Sequence, residues 1–401
     1  MKGYNHDFID PGFKMGLTYK INGRNHIKFN AIAMTQAPLA RDAYISPRIH
    51  DRVVENIYTH DHAKNIKDYF GASEKIAGGD LSYEFNYPFL RGRVTAFFTQ
   101  FWNGTQLNGY YDDEARTFVN QAITNLNRRH CGLEAAVSVP MGMYFTLTGA
   151  TSIGDYRYTS NAFSIFSAEN GMALDNNIDD QGKQTPCYEL RDSILINGLR
   201  VGNGPQLSAS LKLSFFHPKM WFADITLSYY DWNYMNIAPA RRLRGLFYDK
   251  RTDGTTVNGT YTKIYTNHDE YINALELNAD GTPVLDKYGT PQLQEPYKYM
   301  TAQESLVDKN PWNRFMLDVS VGKLIYLKNR QSISINLSIT NLTNNVKFKT
   351  GGYQQARLPR SIRQGETKGE NSTITSNIWK FPSKYYYAWG TNFYLTVTYK
   401  F

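Results

Sequence analysis

The run "ALDNNIDDQG" sets Asp175, Asn177 and Asp179 at the first, third and fifth positions of a calcium loop. The sixth position, where the loop must turn sharply and needs Gly, is Asp180, and the twelfth, where a bidentate Glu belongs, is Pro186. A solvated polar loop is the preferred reading. "HDH" (His60, Asp61, His62) puts two imidazoles one residue apart, which grip a metal only with a third ligand from elsewhere, so exposed loop histidines are preferred there. "RRLRG" (Arg241, Arg242, Arg244) follows a strand-like segment and has the fork geometry for phosphate, but reads first as a solvated cluster. Cys131 and Cys187 have no metal spacing and are either a disulfide or two thiols, with thiols preferred. The sequon Asn258-Gly259-Thr260 is of a kind frequent by chance and carries no weight. Hydrolysis would need a His with Ser or Asp partners gathered at one place. The eight histidines (His6, His26, His50, His60, His62, His130, His217 and His268) are scattered, so no enzyme is expected and no cofactor is called for.

The elements that would carry such residues are strands. Hydrophobic residues make up 41% of 401, mean hydropathy is −0.50, and no run approaches the ~18 apolar residues of a membrane helix. Alternation is the dominant signal. "TNFYLTVTYKF" places Phe393, Leu395, Val397, Tyr399 and Phe401 at every second position, and "QLSASLKLSFF", "SISINLSIT" and "RFMLDVSVGK" repeat the pattern. Such strands average out as polar, which hides a membrane barrel from hydropathy. Thirty Tyr, twenty-two Phe and six Trp supply the aromatics that two interfacial girdles require. The net charge of +8 is spread along the chain without a nucleic-acid-reading motif, so no nucleic-acid partner is expected. "MKGYNHDFIDPGFKMGLTYK" lacks the apolar core of a secretory signal, so Met1 is expected not to be the start of the natural precursor.

Eleven strands are expected near 13–21, 26–36, 75–87, 91–103, 129–139, 143–156, 205–216, 221–235, 314–327, 331–342 and 390–401. Very short turns alternate with long loops over roughly 37–73, 104–128, 158–200, 237–312 and 343–384. That asymmetry is the pattern of an all-β, antiparallel transmembrane β-barrel, with short periplasmic turns and long extracellular loops. Bacterial single-chain barrels have even strand counts, and eleven is half of twenty-two. An open sheet would leave two unpaired edges, costing on the order of tens of kcal/mol in hydrocarbon. Aromatics near strand ends (Trp102, Tyr229, Tyr230, Trp232 and Tyr385 to Tyr387) are expected in the interfacial belts.

The terminal "NFYLTVTYKF" after "FPSKYYYAWG", and the stretches "YPFLRGRVTAFFTQFWNGTQLNGYYDDEARTFVN" and "SINLSITNLTNNVKFKTGGYQQAR", resemble the barrel of TonB-dependent outer-membrane receptors. The resemblance covers most of the chain and implies that residues 1–401 are the C-terminal part of a twenty-two-strand barrel. The signal peptide, TonB box, plug and N-terminal strands would then lie outside this sequence. It also implies TonB-driven import, in the outer membrane of a Gram-negative bacterium, of a scarce ligand such as a siderophore, haem, cobalamin or glycan. Phe393, Leu395, Val397, Tyr399 and Phe401 would be the outer-membrane assembly signal. Outer-membrane lipid and lipopolysaccharide, the barrel assembly machinery and, through the missing region, the TonB complex would be partners. Lipopolysaccharide phosphates would be one partner for the Arg241 cluster. Tyr110, Tyr111 and Tyr353 could stack on a sugar or siderophore. The alternatives are a self-contained porin or adhesin, which the long varied loops disfavour, and a lipase or protease barrel, disfavoured by His217 lying in a short turn.

Overall fold

A computed structural model describes residues 8–46, 73–112, 116–178, 184–187, 189–242, 278, 282, 303–327, 330–355 and 382–401. Its strands are β1 (Gly12–Lys20), β2 (Asn25–Gln36), β3 (Glu74–Tyr87), β4 (Leu90–Asp112), β5 (Thr117–Met141), β6 (Phe145–Tyr158), β7 (Ala162–Ala168), β8 (Asp175–Ile178) and β9 (Gln184–Cys187). They continue with β10 (Glu189–Ile194), β11 (Pro205–His217), β12 (Trp221–Asn233), β13 (Phe315–Tyr326), β14 (Ser332–Thr340), β15 (Lys349–Tyr353), β16 (Lys384–Tyr387) and β17 (Asn392–Lys400). Eleven of them form one antiparallel meander in the order β1-β2-β3-β4-β5-β6-β11-β12-β13-β14-β17. These are the eleven strands expected from alternation. The fold is a β-barrel wall with an open seam.

The register makes one face apolar from end to end. A single cross-strand row runs Leu17, Phe29, Leu81, Ala96, Leu133, Ile153 and Leu207, and a second runs Val139, Leu147, Leu213, Ile225, Val319, Ile339 and Phe393. The first row starts in the middle of β1 and ends three residues into β11, the stagger that tilted barrel strands require. These side chains stay exposed: Leu17 at 64%, Leu133 at 55% and Ile225 at 46%. Water would not tolerate an uninterrupted apolar face across eleven strands. One residue out of phase, the opposite row reads Thr18, Lys28, Ser82, Thr95, Glu134, Ser152, Ser208 and Tyr230. Trp221 and Tyr229 bracket the apolar side of β12, about 27 Å apart along the strand, which a ~40° tilt turns into ~20 Å of height.

Two edges stay open. Among the described residues β1 pairs only with β2, and β17 only with β14. The short turns after β1, β3, β5, β11 and β13 lie at one end, and β17 descends to that end, because Asn392 pairs with Thr340 and Lys400 with Ser332 beside the turn after β13.

At the other end, where β14 leaves the sheet, Asn341 is buried and holds a left-handed φ of 52°. Its Nδ2 donates to the carbonyls of Asn345 (3.2 Å) and Trp389 (2.7 Å), and its Oδ1 accepts from the Asn345 amide (2.9 Å). Its own amide donates to Asp318 Oδ1 at 2.7 Å. The side chain therefore ties two connections, at Asn345 and at Trp389, to the top of the wall. Asn341→Ala is expected to lower stability by about 4–5 kcal/mol, from roughly 1 kcal/mol for each of three lost side-chain bonds plus the left-handed penalty. Urea unfolding in detergent micelles would measure it, and Asn341→Gly should recover only the backbone part.

The loop end is not loose. Residues 104–128, expected to be a loop, are the tops of β4 and β5, which continue their hairpin past an irregularity at Phe101/Gly104 up to Asp112 opposite Thr117. Asn103 and Asn125 take positive φ (58° and 55°) there and let the ladder bend. The stretch 158–200 likewise contains β7, which pairs with the top of β5, and β10, which pairs with β7. The 343–384 stretch contains β15, which pairs with β16 at its end. This rim sheet holds most of the buried apolar residues, with Val119, Ile123, Phe166, Ile194, Ile196 and Leu199 in one cluster. Ile45, Ala122 and Ile165 pack in a second. The segment bearing Ile45 docks through Ser167 Oγ to its carbonyl (3.2 Å) and Asn120 Nδ2 to Ser46 Oγ (3.3 Å).

Candidate functional site

The rim sheet presents Tyr110 and Tyr111 from the top of β4, and β15 with the end of β16 presents Tyr353 and Tyr386. The four line one cavity of about 560 Å³, a volume typical of small-molecule sites. The three tyrosines expected to stack on a ligand are thus brought together, although Tyr353 lies far from the other two in sequence. Between them stand six amide side chains: Asn108, Gln121, Asn203, Asn236, Gln354 and Gln355. No described lining residue carries a formal charge. Tyr353 and Tyr386 meet with ring centroids 5.9 Å apart.

Close backbone approach sets this geometry. Asn236 bridges to Tyr353, its amide donating to the Gly352 carbonyl at 3.0 Å, and Gln354 returns its amide to the Asn236 carbonyl at 3.0 Å. A Cβ on Gly352 would lie 2.6 Å from the Lys384 carbonyl oxygen, and one on Gly202 would lie 2.6 Å from the Asn236 backbone. Those two glycines are therefore what "TGGYQQ" and "RVGNG" supply locally. Gln354 Oε1 accepts from the Ala238 amide (3.2 Å) and from Arg242 Nη2 (3.4 Å), which fixes its amide plane. Asn203 Oδ1 accepts from the Gly352 amide at 3.0 Å. Behind the β15–β16 pair Tyr385 donates to Glu304 Oε1 at 2.7 Å, and this bond to a carboxylate, with burial, pushes the phenol up to about 12.

Below the rim the polar face forms a second cavity, of about 550 Å³, lined by Arg93, Thr95, Glu134, Ser152, Thr226 and Tyr230 among others. Arg93 and Glu134 are its charged lining residues, and other charges on the same polar face are paired. Glu84 accepts from Lys28 at 2.7 Å and faces Arg93 at 3.9 Å; Lys212 meets Asp224 at 3.2 Å. Arg93 also donates to Thr95 Oγ1 (2.9 Å) and Ser82 Oγ (3.1 Å). The result is a hydroxyl-rich wall that water wets and that holds no large excess of either charge.

Other expected sites fall differently. Arg241 and Arg242 are not a solvated cluster: both are 1% exposed in the short 3-10 helix Pro239–Arg242, and the Arg242 carbonyl accepts from the Leu195 amide at 2.8 Å. Arg244, the HDH run of His60 to His62, and Asn258 to Thr260 lie outside the described residues, as do Asp179 and Asp180. Asp175 and Asn177 are not in an open loop; they sit in β8, paired with Cys187 and Thr185 of β9. Cys131 is a free thiol on the apolar face, half-buried. Among the described residues no three of His, Cys, Asp and Glu gather to hold a metal. Of the belt aromatics, Trp102 and Tyr229 are on the apolar side. Tyr230 is not: it lines the polar cavity and stacks on Phe348 at 5.3 Å. Tyr385, Tyr386 and Tyr387 belong to β16 at the rim instead of a belt. Sequence reading missed the amide set, whose members are scattered over five segments with no common spacing.

No family model and no curated protein matches this sequence. Solved structures similar to it include "Copper transporter OprC" (TM-score 0.41, 9% identity, 96% of this chain and 38% of that one). Another is the ferric-catecholate import receptor Fiu from K12 E. coli (TM-score 0.39, 12% identity, 96% of this chain and 34% of that one). A third is the siderophore receptor PirA from Acinetobacter baumannii (TM-score 0.39, 9% identity, 96% of this chain and 40% of that one). The chain spans about a third to two-fifths of the length of these three proteins.

Proposed function

We propose that this chain is part of the wall and the extracellular rim of an outer-membrane active-transport receptor, and that the tyrosine–amide cavity contacts its ligand. The observation carrying this reading is the apolar face that runs unbroken across eleven strands, backed by a hydroxyl-rich face. A bilayer is the solvent that such a face fits, and a wetted lumen fits the other side. An uncharged cavity of tyrosines and amides suits a neutral, hydroxyl-bearing molecule such as a glycan, which offers apolar faces to rings and hydroxyls to amides.

In this reading residues 1–401 are the C-terminal part of the barrel, and further strands outside this sequence pair with β1 and β17, twenty-two in all. The free edges support it, since each presents nine residues of backbone and hydrocarbon leaves no other partner. Phe393, Leu395, Val397, Tyr399 and Phe401 serve as the assembly signal read by the barrel assembly machinery. In support, all five lie exposed on or beyond the terminal strand, Phe401 at 93%. Energy would reach the barrel from the TonB complex through a plug outside this sequence.

The test is solubility without a membrane mimic. Purified chain should require detergent or lipid to remain dispersed and strand-rich. A compact, monomeric, detergent-indifferent chain in plain buffer would overturn the membrane reading.

A further inference from the structure

Directly beyond the apolar band, on its own outward face, three arginines converge on one carboxylate. Asp155 follows Ile153 by two residues on β6 and so points the same way, and it pairs with Cys131 of β5. Arg157 Nε lies 2.7 Å from Asp155 Oδ1, Arg200 Nη1 lies 2.8 Å from the same oxygen, and Arg129 Nη2 lies 3.5 Å from Oδ2. Arg129 is paired with Arg157 across the strands, and Arg157 bridges to Arg200, so the three are immediate neighbours. The group carries three positive charges against one negative, a net +2. Like charges so placed repel; even with Gln206 Oε1 accepting from Arg200 Nη1 at 2.6 Å, these acceptors cannot satisfy the donors of three guanidiniums. Among the described residues Arg129 Nε is buried with no hydrogen-bond partner. The side chains are 25–39% exposed, so the cluster is open on its outer side.

Its height identifies the missing anion. Asp155 and Arg157 lie about 7 Å and 14 Å beyond Ile153 along β6, past the apolar row and at the level where lipid headgroups begin. A soluble anion would reach this spot only past headgroups, whereas a lipid phosphate already resides there. We propose that Arg129, Arg157 and Arg200 bind a phosphate group of an outer-leaflet glycolipid. A phosphate monoester carries about −1.5 to −2 at neutral pH, matching the local excess, and offers oxygens for bidentate contact with arginine forks. Its acyl chains would lie on Leu133, Ile153 and Leu207 below. Asp155 keeps the three forks spread and aimed outward.

This site rests on the membrane reading, and the test separates the two. The detergent-purified chain is incubated with bis-phosphorylated lipid A, with the same lipid stripped of phosphate, and with inorganic phosphate, and retained adducts are counted by native mass spectrometry. Phosphorylated lipid should be retained about tenfold or more over its stripped form, with the R157Q/R200Q variant losing that preference, as expected for charged hydrogen bonds. R157K/R200K should restore part of it, and K20Q, a charge loss at the short-turn end of β1 and five strands away in the sheet, should leave it intact. Strand content by circular dichroism checks that each variant folds. Equal retention of both lipids, retention by R157Q/R200Q, or displacement of lipid by millimolar inorganic phosphate would overturn the site while leaving the barrel untouched. A chain that needs no detergent would instead overturn the membrane reading beneath it.

Discussion

Ile225→Arg will destabilise the membrane-inserted protein by about 2–4 kcal/mol, while Thr226→Arg, one residue later, will cost less than about 1 kcal/mol. Ile225 lies midway between Trp221 and Tyr229, pairs with Leu213 and Val319, and is 46% exposed on the apolar side. Thr226 faces the polar side between Lys212 and Asp318, where a guanidinium finds water and a carboxylate. In a water-exposed sheet the order would reverse or vanish, since an exposed Ile exchanged for Arg changes stability by only ~0.5 kcal/mol. Urea titration of the chain in lipid vesicles, followed by heat-modifiable gel mobility, measures both variants. Equal effects at the two positions would remove the lipid from the account.

The second large effect belongs to the rim. Tyr353→Ala with Tyr386→Ala should weaken binding of a neutral oligosaccharide about 10- to 100-fold, a loss typical of two aromatic anchors in one site. Both rings line the cavity without belonging to the buried rim clusters, so folding should survive their removal. The Tyr→Phe pair should lose far less, because stacking remains. Calorimetry with neutral oligosaccharides beside an anionic ferric chelate would decide the ligand class. Preference for the anion would contradict a cavity whose described lining carries no charge.

Much of the wall was legible because its period is two and one face is apolar. Leu81, Tyr83 and Phe85 announce β3, and Leu207 to Phe215 announce β11, with bounds within a residue or two. The turns were legible through Asn22-Gly23 and Pro218. The rim was not. Between Trp102 and Leu126 the alternation is interrupted by Asn103 and Asn125 at positive φ, and both faces of the hairpin are then covered, so no polar phase remains to be read. Arg241 and Arg242 misled for a related reason: composition says water, but the fold brings Gln354 and the β10 end over them. Tyr230 misled by one residue of phase, since its neighbour Tyr229 does face outward.

The division of apolar packing between rim and wall also bears on how such a molecule can change. Fluid acyl chains reshape around whatever greasy group a wall residue offers, so Leu, Ile, Val or Phe are nearly interchangeable there. Inside the rim, Ile123 and Ile194 meet fixed neighbours that a single methylene disturbs. Substitutions accumulate freely where the environment is liquid and only in compensating sets where it is solid. Two rates of divergence are thereby built into one polypeptide, with the tyrosine–amide cavity set in the more constrained part.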